Sequence, residues 1–260
     1  MRKQIISLDI SVIDYNQALN EVLELGRKQQ PSYSCFANAH MVTEAHRSAV
    51  FKNQVNQSNY TFADGMPLVF ALKRLHGLQQ SRIAGMDFMK DAIRLCEQQK
   101  LSVYFLGSTE DTLHQLQVKL KNEFPELIIA GRYSPPFRKW TEGDNNLFAE
   151  QINNSGANVV FVSLGCPKQE AWMAEHYQKI KATLLGVGAA FPVLAGITGR
   201  APRWMQRASL EWVYRLGQEP RRLFKRYAVT NTLFVYYLIV QFFAVKQKNN
   251  PKALPNNNNG

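Results

Sequence analysis

Short apolar runs alternate with segments of helical spacing along residues 1–199. Six runs are rich in Val, Ile, Leu, Phe and Tyr and predict strands, at residues 33–38, 60–63, 102–106, 127–130, 158–164 and 183–185. The run 159–162 reads Val-Val-Phe-Val, without a polar residue. Continuous apolar runs of this kind are typical of strands that are buried on both faces.

Between these runs, apolar residues recur at the three- and four-residue spacing of a helix. Helices are predicted at residues 86–99, at 109–124 with Thr109 as a cap, and at 168–181 after Pro167. The alternation of strands and helices predicts an α/β fold, with a Rossmann-like, mostly parallel sheet and helices on both of its faces.

The excess positive charge of the chain is concentrated near its C-terminus. The whole sequence carries a formal +11, and the eleven Lys or Arg beyond residue 199 are opposed by only two Glu. This abrupt change predicts an α/β core at 1–199 and a basic, amphipathic helical appendage at 200–248. The Asn- and Pro-rich tail at 249–260 is expected to be disordered.

The basic stretch runs into an uncharged segment at residues 227–245. Alternating basic and apolar residues are typical of surfaces that bind anionic lipid, and also of surfaces that bind nucleic acid. A helix of this length extends roughly 28 Å, just enough to span a bilayer. Because Thr230, Asn231, Thr232 and Gln241 interrupt the segment, we expect a helix that lies in the membrane interface or packs on the protein, rather than one that spans.

Cysteine usage and the N-terminus indicate the compartment. Cys35, Cys96 and Cys166 form no CxxC pair, which favours a reducing environment and argues against an all-cysteine zinc site. Residues 1–10 lack the apolar region of a signal peptide, so export is not expected. Although His40 and Glu44 could share a helix face, no third ligand follows at a zinc-binding spacing, and no metal site is predicted.

Polar and glycine residues follow five of the predicted strands. In a parallel sheet, ligands bind beyond the carboxyl ends of the strands. Glycine at such turns lets backbone N–H groups approach a phosphate, helped by the helix N-terminus. The candidates at this edge are Asn38, Asp64, Gly65, Gly107, Lys168, Gln169, Gly186 and Gly188. Neither a GxGxxG dinucleotide fingerprint nor a GxxxxGKS/T phosphate loop is present.

Several candidates also have a purely structural interpretation. Asp64 and Gly65 could form only a turn, and Asn38 could cap the helix that begins near Ala39. Gln169 and Glu170 could be first-turn residues that suit the helix dipole. Two tryptophans of the basic stretch, Trp204 and Trp212, could pack in the core or anchor the chain at an interface.

Seven segments together resemble the WecG/TagA/CpsF glycosyltransferase family over roughly residues 5–230. In chain order they read Asn-Ala-His at 38–40, Phe-Ala-Asp-Gly at 62–65, Gly-Cys-Pro-Lys-Gln-Glu at 165–170, Gly-Val-Gly-Ala at 186–189, Ala-Pro-Arg-Trp-Met at 201–205, Leu-Glu-Trp-Val-Tyr-Arg-Leu at 210–216 and Gln-Glu-Pro-Arg-Arg at 218–222. The Pro-Lys-Gln-Glu segment and the C-terminal segments are specific, whereas the Gly-Val-Gly-Ala turn alone is not.

The resemblance implies an inverting transfer, with formation of a β-linkage, from a UDP-sugar to a sugar on polyprenyl (undecaprenyl) diphosphate. The donor sugar would be N-acetylmannosamine, its uronic acid or glucose, and the product would enter cell-wall, cell-surface or exopolysaccharide synthesis. No cofactor or metal is expected. The enzyme would be cytoplasmic and bound peripherally to the inner face of the cell membrane, an anionic surface. Family members can self-associate, so a homo-oligomer is compatible with the resemblance, whereas nucleic acid is not an expected partner.

The chemistry of such a transfer fits the candidate residues. One base must accept the proton of the attacking hydroxyl, and Asp64 matches the family's proposed base, with Asn38 completing the predicted catalytic pair. Without a metal, arginines and backbone N–H groups must stabilise the departing nucleoside diphosphate. The candidate arginines are Arg203, Arg207, Arg215, Arg221 and Arg222. Lys168 and Gln169 are candidates for binding sugar hydroxyls or phosphate.

Two positions depart from the family pattern. Members of the teichoic-acid branch often carry Thr where this chain has Phe36, so a hydroxyl is missing there. Many members read Phe-Asp after the Gly-Val-Gly-Ala turn, whereas this chain reads Phe191-Pro192.

The sequence also leaves two other classes of function open. One is a basic nucleic-acid-binding protein, although no RNP, helix-turn-helix or zinc-finger pattern supports it. The other is a non-catalytic, nucleotide-binding protein, in which the glycine turns would hold a nucleotide without turnover.

Overall fold

The computed structural model describes residues 1–202, 204–205 and 210–249, with the backbone alone described at residues 222, 226 and 246–249. A short antiparallel hairpin comes first, formed by β1 (Arg2–Ile5) and β2 (Leu8–Ser11). The strands of the central sheet are β3 (Ser32–Ala37), β4 (Tyr60–Ala63), β5 (Val103–Gly107), β6 (Ile129–Tyr133), β7 (Val159–Ser163) and β8 (Thr183–Gly186). Their order across the sheet is β4–β3–β8–β7–β5–β6, and every neighbouring pair is parallel.

All six predicted strands are confirmed, with small shifts at their ends. The largest shift concerns β6, which begins at Ile129 and ends at Tyr133 instead of covering 127–130. The hairpin of β1 and β2 was not predicted. Its first strand reads Arg-Lys-Gln-Ile, and only Ile5 of these four residues is buried, so no apolar run marks it.

Helices surround the sheet and are numbered in chain order. They are α1 (Tyr15–Arg27), α2 (Ala39–Arg47), α3 (Ala49–Asn56), α4 (Met66–His76), α5 (Gly85–Gln99), α6 (Glu110–Glu123), α7 (Glu142–Ser155), α8 (Lys168–His176), α9 (Ala190–Leu194), α10 (Glu211–Gln218) and α11 (Pro220–Asn249). The Thr109 side chain caps α6 by accepting from the backbone N–H of Thr112, as predicted. The helix predicted at 168–181 is shorter, because α8 ends at His176 and a single 3₁₀ turn, Tyr177–Lys179, follows.

The alternation of side chains along the strands explains the two-sided core. On β7, Val160 and Val162 pack into one apolar cluster, while Val159 and Phe161 pack into the other. The first cluster lies against α2, α3, α4, α7 and α8, and the second against α1, α5, α6 and α9. The predicted arrangement, a parallel sheet with helices on both faces, is therefore confirmed.

The C-terminal helix α11 packs on the core along one side only. It lies against α2 and α4, and Phe234, 3% exposed, joins the apolar cluster on that face. The Gln241 side chain accepts from Ile6 N at 2.7 Å and donates to Gln4 O at 3.2 Å, which ties the helix to the hairpin. The segment Leu223–Val245 is long and apolar enough to cross a membrane, judged by length and composition alone.

Candidate active site

The ends of β3 and β4 bring the predicted catalytic pair together. The two strands run side by side with Ala37 opposite Ala63, so Asn38 and Asp64 leave the sheet at neighbouring points. Asp64 N donates to Ala37 O at 2.9 Å, and a Cβ added at Gly65 would lie 3.5 Å from Asn38 Cβ. The turn at Gly65 therefore lies within ordinary van der Waals distance of Asn38, and the two loops are direct neighbours.

Asn38 also fills the structural role that the sequence left open. Its Oδ1 accepts from Met41 N at 3.2 Å, so it is the N-cap of α2. The cap fixes the side chain at the edge of the sheet, next to the turn that carries Asp64. Its predicted catalytic role stays a prediction.

Asp64 is half-buried at the rim of the sheet and is surrounded by charged groups. Burial raises its pKa from 3.8 to about 6, because the charged form loses hydration. The guanidinium groups of Arg82 and Arg215 lower that pKa, whereas the carboxylates of Glu211 and Asp87 raise it. The turn therefore carries a carboxyl group whose pKa lies close to neutrality, as a general base requires.

Arg82 is the residue of this site that sequence reasoning missed. It lies between α4 and α5, where the N–H of Ile83 donates to Ala63 O at 2.9 Å and holds the segment beside the end of β4. Its Nη1 lies 2.5 Å from Glu211 Oε2 and its Nη2 lies 3.6 Å from Asp87 Oδ2. The other candidates at the sheet edge directly follow a strand, whereas α4 lies between β4 and Arg82. The position of Arg82 in the sequence therefore did not indicate a place at the sheet edge.

The turn after β8 is held by the buried side chain of Gln169. The Gln169 amide donates to Gly186 O at 2.9 Å and accepts from Gly188 N at 3.1 Å. Ser163 Oγ donates to Gly188 O at 2.6 Å from the other side. Since Gln169 is 3% exposed and both ends of its amide are bonded within the protein, the structure favours a role in shaping this turn over the predicted contact with substrate.

Glu170 lies next to this amide and is fully buried. Its Oε1 accepts from Gln169 Nε2 at 2.7 Å. Burial raises the pKa of Glu170 from 4.5 to about 7, although hydrogen bonds from Gln169, its own backbone N–H and Cys166 lower it in part. This carboxyl fixes the orientation of the Gln169 amide, because it accepts only from the NH₂ end.

Gly107 and Lys168 lie on the half of the edge formed by the strands β5 and β7. Gly107 has a φ of +113°, and a Cβ there would lie 2.4 Å from Ser163 O, so the close approach of the two strand ends requires glycine. Lys168 is exposed at the first turn of α8, with its Nζ 3.5 Å from the centre of the Trp140 ring. This contact is a cation–π interaction.

The predicted arginines are only partly described. The guanidinium group of Arg215, on α10, lowers the pKa of Asp64 through its positive charge. Arg221 is exposed at the start of α11. Arg203 and Arg207 lie outside the described residues, as does the side chain of Arg222. Their predicted contact with substrate stays a prediction.

The tryptophans of the appendage are not core residues. Trp204 is 65% exposed and Trp212 is 45% exposed, so the core alternative is wrong for both.

At the position where relatives often carry Thr, the Phe36 ring packs on Phe62 and Phe88 inside the sheet cluster and is 4% exposed. This corner of the site is therefore apolar.

Across the described ranges, no cluster of three or more His, Cys, Asp or Glu could hold a metal ion. His40 Nδ1 and Glu44 Oε1 are 3.8 Å apart on α2, as their spacing suggested. Independence from a metal stays a prediction from the family resemblance.

The fold and this edge define the class: an α/β protein with its ligand site beyond the carboxyl ends of parallel strands. The chain belongs to the glycosyl transferase WecG/TagA/CpsF family, whose model matches residues 3–248. The resemblance drawn from the seven sequence segments is thereby confirmed.

Curated relatives are similar over about two thirds of the chain. A Bacillus subtilis protein named N-acetylglucosaminyldiphosphoundecaprenol N-acetyl-beta-D-mannosaminyltransferase is 35% identical over 170 residues, which is 65% of this chain and 64% of that protein. Proteins of the same name from Staphylococcus aureus are 27% identical over 72% of both chains (strain MW2) and 28% identical over 69% of both chains (strain NCTC 8325). The aligned segment thus spans 64% to 72% of these relatives' lengths.

Proposed function

We propose that this chain transfers N-acetylmannosamine from its UDP derivative to N-acetylglucosamine carried on undecaprenyl diphosphate. The observation that carries the proposal is the position of Asp64, half-buried at the sheet edge, where the positive charges of Arg82 and Arg215 lower its pKa. The names of the relatives favour N-acetylmannosamine over its uronic acid or glucose. Cell-wall polymer synthesis is the process that this acceptor indicates.

Asp64 acts as the general base in the proposed reaction. Its carboxylate accepts the proton of the acceptor hydroxyl while the hydroxyl oxygen attacks the anomeric carbon of the donor. The bond between that carbon and the diphosphate oxygen breaks, and UDP leaves with the bonding electron pair. Attack from the face opposite the leaving group inverts the anomeric centre and gives a β-linkage.

The leaving diphosphate needs positive charge at the same edge. The positive charges of Arg82 and Arg215 lower the pKa of Asp64, so both guanidinium groups act at this edge of the sheet. A diphosphate bound beside the Asp64 carboxylate would therefore meet both of them. Lys168 is exposed at the first turn of α8 and offers a further cation. These groups would supply the stabilisation that a metal provides in other transferases.

A peripheral position on the inner face of the cell membrane would deliver the lipid-linked acceptor. One face of α11 exposes a row of apolar side chains, among them Val235, Ile239 and Phe243, each at least half exposed. Basic residues precede this row in the sequence, at Arg221, Arg222, Lys225 and Arg226. Apolar residues with adjoining cations are typical of helices that lie in a bilayer interface.

The proposal is tested by a transfer assay with defined substrates. The full chain would be incubated with UDP-N-acetylmannosamine and an undecaprenyl-diphosphate-linked N-acetylglucosamine, and the disaccharide lipid would be detected by mass spectrometry. UDP-N-acetylmannosaminuronic acid and UDP-glucose are the comparison donors. We expect product with the first donor at ten times or more the rate with the others. Absence of product with every donor would refute the proposed function, and a preference for glucose would refute the sugar assignment.

The pKa of Asp64 also predicts the pH dependence of transfer. Because the base must be deprotonated and its pKa is about 6, kcat/KM should be constant above pH 7 and fall about tenfold per pH unit well below pH 6. A profile that stays flat from pH 8 to pH 5 would exclude Asp64 as the titrating base.

A further inference from the structure

Four charged side chains of alternating sign join the appendage to the core. Arg200 Nη2 lies 2.5 Å from Asp87 Oδ1, and Asp87 Oδ2 lies 3.6 Å from Arg82 Nη2. The other terminal nitrogen of Arg82, Nη1, lies 2.5 Å from Glu211 Oε2. Arg82 is therefore shared between a carboxylate of α5 and a carboxylate of α10.

Glu211 is the first residue of α10 and lies on its core-facing side. One turn later, a Cβ added at Gly199 would lie 2.7 Å from Tyr214 Oη, so the hydroxyl end of the Tyr214 side chain occupies the space beside this glycine. One further turn along, Gln218 Nε2 donates to Gly199 O at 3.1 Å. Residues 211, 214 and 218 share one helix face, whereas Trp212 is exposed on another.

We propose that Glu211 is a positioning residue, whose carboxylate docks α10 onto Arg82 and thereby holds Arg215 beside Asp64. Arg215 follows Glu211 by one helical turn, so the two side chains lie above one another on α10. The inference rests on the proposed function in one respect, since it takes Asp64 as the reacting group. The docking itself does not depend on the reaction.

Among the residues that the structure describes, the Arg82–Glu211 contact is the ion pair that joins α10 to the core. The side chains of Arg82 and Glu211 are 23% and 27% exposed, so water screens this pair less than an exposed surface pair. The contacts of α10 with Gly199 involve a hydroxyl and an amide, which carry no net charge. A short ion pair to one guanidinium nitrogen fixes both the rotation of α10 and its distance from the sheet edge.

The docking is tested by hydrogen–deuterium exchange on the full chain. In Glu211→Gln and in Arg82→Gln, amides at residues 214–219 should exchange about tenfold faster than in wild type, and the double variant should match the single ones. The control is Glu126→Gln, which removes the same charge at a site 74% exposed and should leave α10 unchanged. Unchanged exchange in Glu211→Gln would overturn the docking.

The positioning role is tested by transfer kinetics on the same variants. Glu211→Gln should lower kcat about tenfold with KM for the nucleotide sugar within about twofold, and Glu211→Asp should recover part of kcat. Faster exchange with unchanged kcat would overturn the positioning role, because Arg215 would then not need the docked helix. A rise in kcat would also overturn it, because Glu211 would then be a blocking group on Arg82. If the wild type transfers no sugar, the proposed function fails while the exchange experiment still decides the docking.

Discussion

The sheet core and the C-terminal helices are stabilised in different ways. Strands β5, β7 and β8 are buried on both faces, and most of their side chains are below 5% exposed. In α11, by contrast, Leu223, Thr230 and Phe234 are buried while Phe224, Val235, Tyr236, Ile239, Val240 and Phe243 are half-exposed or more. The core is specified by its own packing, whereas the appendage is attached along one side and leaves an apolar face that water covers poorly.

This difference separates two tasks that one enzyme of this family has to combine. The edge of the sheet must hold reacting groups rigidly, and the turn held by Gln169 and Ser163 is built for that purpose. In the proposed function the appendage meets a lipid-linked substrate, for which an exposed apolar face beside basic residues is suited. Asp64 lies where the two regions meet, and its charged neighbours come from both.

In the sheet core, the largest loss of stability is expected on replacing Gln169. Replacing Gln169 with Leu leaves Gly186 O and Gly188 N without their side-chain partners in a buried turn. We expect the free energy of unfolding to fall by about 3 to 4 kcal/mol, from lost hydrogen bonds and unpaired buried groups, as measured by urea unfolding.

The matched control for this variant is Gln178→Leu, which removes an exposed amide just beyond α8. It should change the unfolding free energy by about 0.5 kcal/mol or less. A loss in Gln169→Leu no larger than in the control would mean that the turn does not depend on Gln169.

The second prediction concerns the exposed apolar face of α11 and its binding to lipid. Changing Val235, Ile239 and Phe243 together to Ser removes apolar surface from one face of the helix without touching the buried Phe234. Partition onto anionic vesicles should weaken about a hundredfold, roughly 2.8 kcal/mol, since three half-exposed apolar side chains no longer enter the interface. Vesicle flotation measures this directly.

The chain offers a control of the same size on the core. Val118, Ile128 and Leu147 are also almost half-exposed but lie away from α11. Changing these three to Ser should leave vesicle binding within about twofold of wild type. Equal losses in both triple variants would show that no particular face contacts the lipid.

A smaller effect is expected at Glu170, where the core tolerates an ionisable group. Its folded pKa of about 7 exceeds the unfolded value of 4.5, so the native state holds the proton more tightly. Stability therefore falls as the pH rises from 4.5 through 7, and Glu170→Gln removes that loss. The variant should be more stable than wild type by about 1 to 2 kcal/mol at pH 8 and show little such gain at pH 4.

Thermal unfolding at several pH values measures this difference. The separation between the melting temperatures of variant and wild type should widen as the pH rises from 5 to 8. A separation that does not change with pH would mean that Glu170 does not titrate in this range.

Much of the core could be predicted from the sequence, because its strands are short apolar runs rich in β-branched and aromatic residues and bounded by turn residues. Predicting the strands also predicted where they end, and therefore that Asn38 and Asp64 lie close together. The hairpin of β1 and β2 could not be predicted, since its polar first strand is set by pairing rather than by pattern. Arg82 was missed for a related reason: its segment is held at the sheet edge by tertiary contacts, such as the bond between Ile83 N and Ala63 O, which no local pattern marks.

The role of Gln169 shows a further limit of sequence reasoning. Gln169 follows a strand and lies at the start of a helix, and this position predicted that its side chain contacts substrate. The same position also allows the side chain to turn inward. Which of the two occurs depends on the distance to Gly186 and Gly188, on a strand that is distant in sequence. Pairings between such distant segments are decided by the tertiary fold and not by local pattern.

The central claim is that Asp64 is the base of the transfer, and the kinetics of Asp64→Asn test it most directly. The variant keeps the size of the side chain and loses the proton acceptor, so we predict that kcat/KM falls by at least about a hundredfold while the melting temperature and UDP binding stay near wild type. Asp111→Asn, the same change at an exposed position of α6, should leave transfer unchanged. Transfer by Asp64→Asn within about twofold of wild type would contradict the account.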